Sequence, residues 1–148
     1  MRRKESRRDS IKPILTHGEK TDAADRFARR VFRYAGIYGL IVLLPQYLIE
    51  LGAGSSISLP IQRPEYFYGF IGVAVAWQLV FLTIAMDIQR YRPLMIPAIL
   101  EKLVFGIPVL LLFANDRVGM QVLAFGMIDL ILAALFLLAF RSTQPVTS

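Results

Sequence analysis

Three ionisable residues, Glu101, Lys102 and Asp129, stand inside long apolar runs of this 148-residue chain. A charge at mid-depth in hydrocarbon costs about 2.5 to 3.5 kcal/mol on insertion scales, so each is expected to face other helices or to become neutral. Such a group is by default a candidate for handling ions or ligands. Gln78 lies at matching depth in another apolar run, which gives a candidate buried polar cluster of Gln78, Glu101, Lys102 and Asp129. A structural use competes with this one. Glu101 could be held by a hydrogen bond to a neighbouring helix, and Asp129 has no obvious partner in the sequence. Lys102 points about 100° away from Glu101 on a helix, so it is not a ready-made partner and is expected to snorkel towards the headgroups. Tyr34, Tyr38 and Trp77 are candidates to line the same half, although aromatic residues at such depths are usually packing or belt residues.

Several chemistries are excluded. With no cysteine, the chain makes no disulfide, thiol nucleophile, zinc-thiolate site or cysteine-ligated cluster. Its one histidine, His17, lies in the polar N-terminal stretch, so no histidine can hold a haem between the helices. No phosphate loop, nucleophile elbow or metal-ligand cluster is present, and a lone carboxylate defines no reaction. The expectation is a non-enzymatic protein with no cofactor and no metal.

The elements that must position the cluster are membrane spans. Hydrophobic residues make up 55% of the chain and mean hydropathy is +0.52, more apolar than an ordinary soluble domain, with the excess gathered in long runs. Residues 1–33 carry eleven basic and five acidic residues, which is the whole net charge of +6; the remainder carries six of each. Residues 1–21 mix charges with Pro13 and Gly18 and read as a disordered basic tail. A helix start is expected at Thr21 or Asp22, after which Arg26, Arg29, Arg30 and Arg33 crowd one side and Ala24, Phe27, Ala28 and Val31 the other. This suits a helix lying in the headgroup layer before it turns inward, with those four arginines as contacts for anionic lipid; a solvated basic run that only sets topology fits equally well.

Four spans follow, at about 31–49, 64–86, 94–113 and 118–140, within a four-helix transmembrane domain of residues 22–141; residues 142–148 form a short tail. In the first, Ala35 and Gly39 make a small-residue seam, and Gln46 is placed to satisfy the carbonyl freed by Pro45. Pro64 and Glu65 open the second at positions that favour them, and Gly72 with Ala76 forms another seam. Asp87 to Pro93 is a tight link between antiparallel helices. Pro97, Gly106 and Pro108 are expected to interrupt the third span, with a kink at Pro108. Since open sheets are forbidden in lipid, the fold class is all-α, an integral membrane four-helix bundle.

Fourteen basic residues fall on the side of the N-terminus, and only Arg63 and Arg117 on the other, which predicts both termini in the cytoplasm. Membrane lipids are the expected partners, with anionic headgroups at the tail; nucleic acid is not, because attachment to a span makes lipid the nearer anion. The seams favour a homo-oligomer or a partner membrane protein. The run from Pro64 to Lys102, with FYGF, AWQ, RYRPLM and PAILEK, resembles uncharacterised small four-helix inner-membrane proteins of bacteria that share the overall plan of DoxX-like proteins. The resemblance covers most of residues 31–140 and implies a bacterial inner-membrane location without an assigned activity. The leading expectation is a small accessory or packing subunit. The alternative is a small carrier or ligand-binding protein built on the cluster around Glu101.

Overall fold

The computed structural model describes residues 17–53 and 64–143. Four helices account for nearly all of them: α1 (His17–Ala53), α2 (Pro64–Met86), α3 (Met95–Ala114) and α4 (Met120–Ser142), each long and apolar enough to cross a membrane. The chain is therefore an all-helical bundle with four candidate spans, as its apolar runs require.

α2 begins at Pro64, where a missing N–H costs nothing and the fixed φ suits a first turn. α1 departs from expectation. It is helical from His17, the first residue described, so residues 17–21 are helical instead of disordered; residues 1–16 lie outside the described part. Nor does it turn: its 37 residues, ~55 Å at 1.5 Å per residue, form one helix. Arg29 lies level with the end of α2, because its Nη1 donates to the Met86 carbonyl at 2.8 Å. The preceding twelve residues thus project ~18 Å past α2 in continuation of the span, not in a separate plane. Pro45 is carried inside α1, and Gln46 donates 2.9 Å to the Val42 carbonyl, one residue beyond the Ile41 carbonyl that the proline frees. α3 likewise stays helical through Gly106 and Pro108, so the expected interruption is absent.

Around the bundle the order is α2, α1, α4, α3. α1 packs on α2 and α4, and α3 packs on α4, whereas α2 and α3 meet over only a short stretch despite the tight link between them. On that open side Phe70 and Phe105 face each other at 6.1 Å between ring centroids. Lipid tails are as apolar as the side chains, so helices hold together by close packing, and small residues mark the seams. Gly36 and Gly39 are buried between α1 and α2, and Ala35 is buried in the core; Gly72 and Ala76 face outward. A second inner seam was not read from the sequence: a Cβ on Gly106 would stand 2.7 Å from Leu130, and one on Gly126 2.6 Å from Val109.

The tightest packing lies towards the end that carries the α2–α3 link. Phe32, Phe81 and Phe136 are fully buried there, with Phe32 stacked on Phe136 at 4.2 Å and Phe81 edge-on to Phe136 at 5.0 Å. Arginines close the helix ends below this layer. Arg92 donates to the Phe140 and Thr143 carbonyls at 2.9 and 3.0 Å, where helix carbonyls have no partner and the macrodipole favours a cation. Asp25 accepts both bonds from Gln89 Nε2 at 2.8 and 2.9 Å, which ties α1 to the link.

Candidate functional site

Above the aromatic layer, all four residues of the expected cluster line one cavity of about 180 Å³. α3 supplies Glu101 and Lys102, α4 supplies Asp129, and α2 supplies Gln78. The two charged helices can approach because Gly106 and Gly126 let α3 and α4 pack closely just beyond the site. Lys102 is seven residues into α3 and Asp129 nine into α4, so both stand ~10 to 14 Å from the starts of their helices, well inside the bundle.

Lys102 is the centre of the arrangement. It is only 5% exposed, and its Nζ lies 3.1 Å from Asp129 Oδ1 and 3.3 Å from Glu101 Oε2. The expectation that it snorkels outward is wrong, as is the expectation that Asp129 lacks a partner. Cβ directions alone put Lys102 100° from Glu101, but a flexible four-carbon stem lets the ammonium fold back between the acids. Its positive charge also sits 5.3 Å from the centroid of the Phe81 ring, within cation–π range.

Both carboxylates are ion-paired to Lys102, and Glu101 Oε2 is buried with no hydrogen bond besides that contact. The expected Glu101–Gln78 contact is not made either. Gln78, 2% exposed, donates from Nε2 to the Ala74 carbonyl of its own helix at 2.9 Å. That amide lies against Gly39, where a Cβ would overlap it directly. The seam seen in the sequence therefore serves Gln78.

Of the aromatic candidates, Tyr38 lines the cavity, Tyr34 faces outward, and Trp77 packs on the core beside Phe81. Phe70, Phe105 and Phe125 line the apolar wall and were not singled out beforehand; nothing in a uniformly apolar helix distinguishes them. Among the basic residues of α1, Arg26, Arg30 and Arg33 are exposed, while Arg29 is half-buried and already bound to Met86. Among the described residues no group of three metal-ligating side chains comes together. The site is thus a mixed-charge triad at the wall of a mostly apolar cavity. Comparison of the chain with protein-family models, with curated proteins and with solved structures gives no match.

Proposed function

We propose that this chain is a small multi-pass protein of a bacterial inner membrane, with both termini cytoplasmic, that binds a small ligand in the cavity around Lys102 and serves as its carrier or membrane-embedded receptor. The observation that carries this reading is the cavity itself. A structural ion triad is stable when tightly packed, since desolvated charges need every partner they can reach. Here the triad borders about 180 Å³ of open space, and a buried carboxylate oxygen in it, Glu101 Oε2, makes no hydrogen bond.

The location follows the resemblance of Pro64–Lys102 to bacterial inner-membrane proteins of DoxX-like plan. The orientation follows the distribution of basic residues. Exposed Arg26 on the projecting part of α1, and Arg30 and Arg33 just beyond the level of the α2 end, suit anionic headgroups, each contributing about 1 kcal/mol near such a surface. A second reading, an accessory subunit, is favoured by one observation: Gly72 and Ala76 present a small-residue face outward, with nothing near the position a Cβ would take on Gly72.

Because the chain has no cysteine, single cysteines report access directly. Ala74→Cys, on the cavity wall, is expected to react with a small water-soluble methanethiosulfonate in the intact protein, and Ala98→Cys, fully buried in the packed core, is not. An unreactive Ala74→Cys would remove the ligand-binding reading and leave the accessory one.

A further inference from the structure

We propose that the cavity takes a small organic cation, an amine carried on a body about the size of a substituted benzene ring. This rests on the ligand-binding reading and gives it a substrate class.

Charge makes the first selection. The polar groups facing the cavity are Glu101 and Lys102 from α3, Asp129 from α4, Tyr38 and the neutral Gln46 from α1, and the neutral Gln78 from α2. With both carboxylates ionised, the wall holds one negative charge in excess. In a medium of low dielectric that excess is costly. An anionic ligand doubles it, and a neutral ligand leaves it standing. A cation cancels it, and so does a proton on one carboxylate. Amine and proton therefore compete for the same oxygens.

Hydrogen bonding selects in the same direction. The wall offers acceptors: the Glu101 carboxylate, whose Oε2 takes no hydrogen bond, and the Asp129 carboxylate, both ion-paired to Lys102. An ammonium brings up to three donors and no acceptor, whereas a carboxylate ligand would face them with lone pairs. The remaining wall is apolar and includes four aromatic side chains, Tyr38, Phe70, Phe105 and Phe125, a composition that suits a cation. Size sets the limit: an apolar cavity of about 150 Å³ accepts benzene. A volume of about 180 Å³ thus admits one ring with a short aminoalkyl arm.

The test uses the full chain in nanodiscs and three probes of similar size, benzylamine, benzyl alcohol and benzoate, with binding followed by calorimetry. Benzylamine is expected to bind at least tenfold more tightly than the other two and to weaken as pH falls over a range in which it stays protonated. Glu101→Gln and Asp129→Asn should each lower benzylamine affinity tenfold or more, with thermal unfolding run alongside to show that the variants fold. The comparison of probes on the unchanged protein stands without them. Benzyl alcohol or benzoate binding as tightly as benzylamine overturns the cation assignment while leaving a ligand site in place. Absence of benzylamine binding overturns it as well. Only failure of Ala74→Cys to react removes the cavity reading beneath it.

Discussion

Lys102 holds two acids that would otherwise repel each other inside the bundle, at 3.1 and 3.3 Å from its nitrogen. Removing one member of a buried ionic group costs about 3 to 5 kcal/mol because the remaining charges lose their partner. Lys102→Met is therefore expected to lose stability near the lower figure, since the acids can relieve part of the cost by taking up protons. Adding Glu101→Gln and Asp129→Asn to it should recover most of the loss. Unfolding in detergent, arranged as a mutant cycle, reads this coupling; additive losses would mean that the three residues do not act together. At this scale the sequence told part of the story. Glu101, Asp129 and Gln78 had to face inward because hydrocarbon penalises them wherever else they point. Lys102 was misplaced because the direction of a Cβ says little about the end of a long stem, and no pattern within one helix announces a partner on another.

At the scale of the element, helix ends and small residues carried most of the information. Pro64 was expected to open α2, where its chemistry is tolerated, and α2 is helical from Pro64, the first residue described there. That residues 17–21 are helical does not show in the sequence, because charged residues between His17 and Thr21 hide any apolar period, although nothing there forbids a helix. Small residues mark close approach but not its partner. Ala35 and Gly39 were read as a seam, yet that Gly39 accommodates the Gln78 amide could not be seen in either helix alone. Gly39→Ala is accordingly expected to cost about 1 to 3 kcal/mol by overpacking. Gly72→Ala, which meets open space, should leave the isolated protein as stable as before or up to about 1 kcal/mol more so. Thermal unfolding of the two variants side by side checks the contrast. Equal effects would mean that the α1–α2 contact at Gly39 is not tight.

For the whole molecule, spans were legible and their arrangement was not. Each span announces itself by length and apolarity, but the bundle order depends on contacts between distant residues, and the short α2–α3 link does not force those helices to pack along their length. The opening this leaves is what makes a cavity. Orientation is the property still to be tested, and the structure alters its basis. Two of the basic residues counted towards an inner side, Arg29 and Arg92, are already bound to the carbonyl ends of α2 and α4. Their position follows from helix polarity as well as from topology, so they are weaker witnesses than free charges. The exposed Arg26, Arg30, Arg33, Arg90 and Arg141 remain at that end, against exposed Arg117 at the other, and the bias keeps its sign. Reporter fusions after Ser56 and after Asn115 should therefore report the external side, and a fusion after Arg90 the cytoplasm. If the bias rests on the free charges, replacing Arg26, Arg30 and Arg33 by Gln should produce a mixed population of orientations, whereas Arg29→Gln should leave orientation intact and lower stability by about 0.3 to 1 kcal/mol through loss of the cation at the α2 terminus. A Ser56 or Asn115 fusion that reports cytoplasm in the unchanged protein would invert the assignment and place the projecting end of α1 outside.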